Sequence, residues 1–109
     1  MLPDGATQEP ILDDEKKGRL HSRIPAYARL QLHWHDVRAG QRQVPARTVD
    51  SSKFGVLVEV ERSIPTGTVV AVFTTQGVVV GRGSVRHSTP KGLNYLVGLY
   101  LPNRMARAF

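Results

Sequence analysis

The sequence predicts an all-β protein, an antiparallel sandwich or small barrel of six strands, on three observations. Six short segments rich in Val, Leu and aromatic residues recur along the 109 residues. Turn-forming residues separate them at regular intervals. No long stretch shows the apolar repeat of a helix. Closure into a barrel would hide the sheet edges, which suits strands this apolar.

Composition limits the class of protein. A chain of 109 residues fits one domain. The absence of cysteine excludes disulfides and thiolate catalysis. No apolar run reaches the length of a membrane span, and the acidic N-terminus lacks the apolar region of a secretory signal. We therefore expect a cytoplasmic protein without membrane insertion.

Charge divides the chain into two parts. Residues 1–18 hold five acids and two lysines, a net charge of −3, and residues 19–109 hold four acids and thirteen basic residues, a net charge of +9. With prolines, glycines and no helical stripe, 1–18 is predicted to be a flexible acidic segment before a domain at 19–109. A basic domain indicates an anionic partner, which could be a phosphate ligand, a nucleic acid or a membrane surface.

The first two strands are predicted from alternation and from turn residues. Residues 26–35 alternate between apolar and polar side chains, as a strand with one dry face does. Residues 36–43 are polar around Gly40 and are expected to connect two strands. A second strand follows at 44–49, with Pro45 at its start or on a sheet edge. The dry face of the first strand carries Ala28, Leu30, Leu32 and Trp34.

Four more strands are predicted at 56–61, 68–74, 78–87 and 93–101. Each is separated from the next by Pro or Gly in a turn position. Gly81 and Gly83 within the fifth strand indicate strong curvature or a bulge. A short C-terminal helix is predicted at 102–109, because Pro102 is tolerated in a first helical turn.

Arg19 and Arg23 form an Arg-x-x-x-Arg pair before Ile24 and Pro25. This spacing brings both side chains to one side in an extended chain and in a helical turn alike. Guanidinium groups bind phosphate oxygens in pairs and stack on nucleobases. The alternative interpretation is two solvated surface arginines.

Residues 50–55 read Asp-Ser-Ser-Lys-Phe-Gly, an Asp-x-Ser-x-x-Gly motif. The Asp50 carboxylate can accept hydrogen bonds from the N1–H and N2–H groups of guanine, and the Ser52 hydroxyl can donate or accept. Gly55 allows a tight turn or the close approach of a ligand. The same residues are also ordinary turn formers whose side chains cap backbone N–H groups.

Taken in this order and at this separation, the two motifs resemble those of the PilZ domain family, which are bacterial receptors for the second messenger cyclic di-GMP. The resemblance extends to Val85-Arg86-His87, similar to the family's Gly-x-Val-Arg stretch, and to residues 95–99, similar to its Tyr-x-x-Gly stretch. It covers residues 19–101. Ser51 stands where the family usually has an apolar residue.

The resemblance implies a six-stranded barrel with cyclic di-GMP on its outer surface. Arg19 and Arg23 would bind phosphate and guanine, and Asp50 and Ser52 would hold a guanine edge. Gly55 would shape the turn, and Arg86 would add a further contact. The resemblance implies a receptor rather than an enzyme, with no cofactor beyond this ligand. Ligand binding would change the conformation of the N-terminal arm and signal to a partner protein.

Two other functions remain open on the sequence. The first is a PilZ-like barrel that has lost its ligand and acts as a protein adaptor. The second is a small barrel that binds nucleic acid, which the basic charge favours. Against the second, aromatic residues make up only 6% of the chain and most are predicted on apolar faces. His33 and His35 have the spacing of a metal pair, but without an evident third ligand we expect exposed histidines.

Overall fold

The computed structural model describes residues 24–103, which form six antiparallel strands closed into a barrel. Around the barrel the order is β1, β2, β3, β6, β5 and β4, and β4 pairs back onto β1. The predicted all-β class and the six-stranded antiparallel barrel are confirmed. The strands are β1 (Arg29–Asp36), β2 (Gly40–Ser51), β3 (Gly55–Val60), β4 (Val69–Thr74), β5 (Val79–Lys91) and β6 (Asn94–Tyr100).

Several predictions fall outside the described residues. These are the flexible acidic segment 1–18, the side chains of Arg19 and Arg23, and residues 104–109 of the expected C-terminal helix. Within residues 24–103, no helix is long and apolar enough to cross a membrane.

The hydrophobic core lies inside the barrel and is formed by the inward-facing side chains of all six strands. Leu30, Leu32 and Trp34 of β1 are buried, as their alternation predicts. Burial of each such side chain contributes roughly 1.5–3 kcal/mol. The other strands add Val44, Ala46, Val56, Val58, Val60, Val70, Val72, Val80, Val85, Val97 and Leu99, and the connecting segments add Ile24, Ile64 and Leu101.

Two strands are longer than predicted. β2 begins at Gly40 rather than at 44, because residues 40–43 pair with the end of β1 in spite of their polar side chains. β5 continues to Lys91 rather than ending at 87, and its last residues pair with β6 through Pro90 opposite Tyr95. The connection between the fifth and sixth strands, predicted at 88–92, is therefore only the two residues between Lys91 and Asn94. Gly92, the first of them, has φ +60°, as a hairpin this short requires.

Pro45 lies inside β2, not at its start. It stands opposite Gln31 of β1, whereas the pairing of β2 with β3 begins one residue later at Ala46. β2 is therefore paired on one side only at this position, which accommodates a residue without an N–H group. The expectation of an edge position is correct locally, but that of a strand start is wrong.

Bulges interrupt the pairing of the described strands at three places. The registers shift around Val49 in β2, around Val80 in β5 and around Arg86 in β5. An extra residue in one strand bends it and turns the following side chains toward the other face. The bulge at Val80 adjoins Gly81, close to where the two glycines of β5 predict it. The bulges at Val49 and Arg86 set the side-chain directions of the candidate site.

Candidate functional site

One row of residues crosses four neighbouring strands on the outside of the barrel. Asp50 of β2 stands opposite Leu57 of β3, Leu57 opposite Gly98 of β6, and Gly98 opposite His87 of β5. Neighbouring strands are about 4.8 Å apart, so the row extends roughly 14 Å. The row begins at the Asp50 carboxylate and ends at the His87 imidazole. Between them lie the apolar side chain of Leu57 and Gly98, which has no side chain.

A depression of about 300 Å³ lies over this row. Four of the six residues that the sequence singled out line it, namely Asp50, Ser52, Gly55 and Arg86. The structure therefore brings the Asp-x-Ser-x-x-Gly motif together with the strand arginine, although more than thirty residues separate them in the sequence. The other two, Arg19 and Arg23, lie outside the described residues.

The motif itself forms a tight turn between β2 and β3. The Ser52 N–H donates to the Gly55 carbonyl at 2.9 Å, and the Leu101 N–H donates to the Phe54 carbonyl at 2.7 Å. A β-carbon on Gly55 would lie 3.2 Å from the Leu99 carbonyl oxygen. Such an approach is tighter than ordinary van der Waals contact, so the turn packs most closely with glycine here.

Asp50 faces outward at the end of β2. One oxygen, Oδ1, accepts a hydrogen bond from the Ser51 N–H at 2.8 Å. That bond fixes the carboxylate at the edge of the depression, and the residue remains exposed. A carboxylate has about four acceptor sites, so Asp50 retains acceptor capacity for a ligand with adjacent N–H donors.

Arg86 owes its direction to the bulge in β5. Val85 points into the core, and the extra residue leaves both Arg86 and His87 exposed on the outer face. The Arg86 guanidinium carbon lies 5.5 Å from the centre of the Tyr100 ring, within cation–π range. This contact holds the cation at the rim of the depression, beside the β6 strand.

Ser51 is a residue whose role the sequence did not show. It faces inward and is buried, and its hydroxyl donates to the backbone carbonyl of Ile24 at 3.1 Å. Thr48, three residues earlier on β2, acts in the same way. Its hydroxyl donates to the Pro25 carbonyl and accepts a hydrogen bond from the Ala28 N–H at 2.8 Å. The two hydroxyls fasten the chain just after Arg23 to the strand that carries the motif.

His87 and Gly98 form a second feature that sequence reasoning missed. A β-carbon on Gly98 would lie 2.1 Å from Nε2 of His87, so the imidazole lies directly against the glycine backbone. Only glycine leaves space for the ring in this position. Gly98 in the Tyr-x-x-Gly stretch was the available signal, but the bulge that brings His87 opposite it cannot be read from either segment alone.

The aromatic residues are more exposed than predicted. Tyr27, Phe54 and Tyr100 are exposed, and Arg47, Lys53 and Arg86 respectively lie within 6.0 Å of their ring centres. Phe73 lies on the outer face of β4, where its ring centre is 4.6 Å from that of His33. Trp34 is in the core as expected and Tyr95 packs against it, so the expectation that most aromatic residues fall on apolar faces holds only for part of the six that the structure describes.

A second polar cluster lies on the outer faces of β2, β3, β5 and β6, around Glu59. Its carboxylate accepts from the Asn94 amide at 2.8 Å and lies 3.5 Å from both Lys91 and Arg47. The hydrogen bond from Asn94, followed by the two cations, lowers the pKa of Glu59 below its ordinary value. This carboxylate is fully engaged by its neighbours, which indicates a structural role.

Neither histidine of the His-x-His pair belongs to a metal cluster in the described part of the chain. Among residues 24–103, no group of three or more His, Asp or Glu side chains could hold a metal ion. His33 instead packs against Phe73.

Comparison with known proteins gives no match for this chain, either among protein-family models or among curated proteins.

Proposed function

We propose that this protein is a non-enzymatic receptor for cyclic di-GMP, which binds over the depression formed by β2, β3, β5 and β6. The observation that carries the proposal is the convergence of Asp50, Ser52, Gly55 and Arg86 on one outer surface. The sequence resemblance to PilZ domains names the ligand. The geometry supports it because these residues, scattered in the sequence, lie around a single floor.

The chemistry of the lining suits a guanine base. Leu57 and the His87 ring, which lies against Gly98, form a low floor for a flat base, and Asp50 stands beside it as an acceptor for the N1–H and N2–H donors. Arg86 and His87 stand at the other end of the row, where a guanidinium could bind a phosphate or the O6 and N7 atoms.

The phosphates require more positive charge than the described lining supplies. Among the described residues that line the depression, Arg86 is the single arginine or lysine. In this proposal Arg19 and Arg23 supply the remaining charge. Ile24, the residue that follows Arg23 in the sequence, is bonded to Ser51 in the middle of the motif. The residue that follows the arginine pair in the sequence is thus held beside the depression.

Signalling follows from the same connection. A ligand that bridges the depression and the arginine pair favours the arrangement in which both contact it, and shifts the protein toward that arrangement by its difference in affinity. Residues 1–18 precede the pair directly, so their position relative to the barrel changes with it. A partner protein would recognise that change.

The test is isothermal titration calorimetry of the full chain with cyclic di-GMP, with GMP and GTP as ligand controls. We expect selective binding, and at least tenfold weaker binding after Arg19→Ala, Arg23→Ala or Asp50→Ala. Arg62→Ala is the matched control, since Arg62 is exposed on the β3–β4 connection outside the depression. Absence of heat from a folded sample, or equal affinity in all four variants, would overturn the proposal.

A second candidate function is binding of single-stranded nucleic acid. The exposed rings of Tyr27, Phe54 and Tyr100, each next to a cation, favour it, since stacking and positive charge together bind such strands. Binding of an oligonucleotide that weakens steeply with salt, and that cyclic di-GMP does not displace, would support this candidate over the first.

A further inference from the structure

The fourth strand carries apolar side chains on both of its faces. Val70 and Val72 point into the core, and Val69, Ala71 and Phe73 point outward. A strand of a barrel in water needs only its inner face to be apolar. The outer face of β4 is therefore more apolar than the fold requires.

The surface around this strand is a groove of about 520 Å³. Val69 is 55% exposed at one end, and Val78 and Val79 add exposed apolar area at the other. Val79 stands opposite Phe73, so the apolar surface continues from β4 to β5. We call this surface the β4 groove; it is lined by His33, Trp34, His35, Gln41, Thr68, Val69, Ala71, Phe73 and Arg82.

The described residues that line the β4 groove carry one formal charge, the Arg82 guanidinium, together with two imidazoles. Ala71 has His33 as its neighbour on one side and Arg82 on the other. His35 also lines the groove, and none of the described residues lining it is an Asp or a Glu. An apolar stripe with basic flanks is complementary to an apolar face with acidic flanks. A second copy of the chain would present the same surface, whose described lining has no acidic side chain to pair with Arg82.

The closed barrel decides how a partner can bind. β4 is paired with β5 from Val69 to Phe73 and with β1 from Ala71 to Thr74, so the stretch at Ala71 and Phe73 has no free edge to which a strand could be added. A partner must bind there through side chains alone. The stripe from Val69 to Phe73 is roughly 13 Å long, which matches between two and three turns of a helix.

We infer that the β4 groove is a docking site for an acidic amphipathic helix of a partner protein. Its apolar face packs on Val69, Ala71 and Phe73, and its carboxylates face Arg82 and the two histidines. Apolar contacts supply the affinity, and the charges set the orientation and exclude basic helices. β4 is diametrically opposite β3 in the barrel order, so this site is separate from the depression at Asp50 and does not depend on what binds there.

The test selects binders from a displayed library of helical peptides. Each peptide has Leu at i, i+3, i+4 and i+7, and its flanking positions are randomised among Glu, Gln and Lys. Selection on the immobilised full chain is expected to enrich Glu at the flanks. The enriched peptides should bind at least tenfold more weakly after Val69→Glu or Arg82→Glu. The matched controls are Leu93→Glu and Arg62→Glu, which alter an exposed apolar and an exposed basic residue elsewhere.

Any other result would contradict the acidic partner helix or assign the β4 groove to another occupant. Enrichment of Lys or Gln flanks, or binders insensitive to Val69→Glu, would overturn the inference. Dimerisation in sedimentation velocity that Val69→Glu abolishes would make a second copy the occupant. Acidic binders that emerge only after Asp13, Asp14 and Glu15 are changed to Asn would assign the groove to the chain's own acidic segment.

Discussion

The hydroxyl of Ser51 donates a hydrogen bond to the backbone carbonyl of Ile24, and both residues are buried. Ser51 stands between the two polar side chains of the motif, and Ile24 follows the second arginine of the pair. This hydrogen bond, together with that from Thr48 to Pro25, therefore joins the two segments to which the proposed ligand would bind. Its removal should affect both stability and binding.

Replacing Ser51 with Ala leaves the buried Ile24 carbonyl without this donor. A buried group without its hydrogen bond costs about 1–3 kcal/mol, and we expect the free energy of unfolding to fall by that amount. Urea denaturation followed by tryptophan fluorescence measures it, since Trp34 is in the core. Ser88→Ala is the control, because the Ser63–Ser88 hydrogen bond is exposed, and it should change stability by less than about 0.5 kcal/mol. Equal urea midpoints for wild type and Ser51→Ala would contradict the role of this bond.

Gly98→Ala should displace the His87 ring, since the new β-carbon would lie 2.1 Å from Nε2. In a chain that already carries His87→Ala, the same change should be neutral or stabilising, because alanine loses less backbone entropy on folding than glycine. The two substitutions are thus expected to be coupled by at least about 0.5 kcal/mol in a double-mutant cycle. Additive effects on the unfolding free energy would show that the ring does not depend on Gly98.

Gly83→Ala should be far more damaging than Gly98→Ala. Its β-carbon would lie 1.7 Å from the Tyr100 carbonyl oxygen, which is backbone and cannot rotate away. We expect a loss of roughly 3 kcal/mol or more, at the upper end of the cost of overpacking. Thermal unfolding by circular dichroism measures the loss. Gly77→Ala is the comparison, since it has open space around it and only its positive φ of 89° to oppose a side chain. A melting temperature for Gly83→Ala no lower than that of Gly77→Ala would contradict the close approach.

Glu59 predicts a dependence of stability on pH. Its pKa is lowered in the folded protein, first by the Asn94 hydrogen bond and then by Lys91 and Arg47. A lowered carboxyl pKa stabilises the fold above the unfolded value of about 4.3, and this contribution is lost as pH falls through the folded value. The stability difference between wild type and Glu59→Gln should therefore shrink between pH 5 and pH 3, approximately. Carbon-13 NMR of the carboxyl group should show its midpoint rising after Asn94→Ala, and an unchanged midpoint would be evidence against this cause.

The number and positions of the strands could be predicted from the sequence because alternation is a local property. Leu30, Leu32 and Trp34 show it within five residues. The start of β2 and the end of β5 could not be predicted in this way. Residues 40–43 and 88–91 lack the apolar alternation of a strand and are held in place by pairing with a neighbouring strand. Tertiary pairing overrides the local preference of such segments.

The candidate site likewise contains residues that the sequence identifies and residues that only the structure brings in. Asp50, Ser52 and Gly55 could be selected from one short motif, but Leu57 and His87 join them only through the registers of four strands. Each register depends on where a bulge falls. No residue type marks the bulge at Arg86, and glycines mark only the region of the bulge at Val80.

The bulge at Arg86 has a consequence for how the chain tolerates length changes. Val85 pairs with Leu99 and His87 with Gly98, so Arg86 is supernumerary to the ladder between β5 and β6. Excising it would leave those two pairs in place, whereas loss of one residue elsewhere in β5 would turn every later side chain to the opposite face. Arg86 thus places a charge on the outside of the barrel without taking part in the alignment of β5 with β6. Deletion of its codon would remove that charge, and insertion of one codon would restore it, with the same fold.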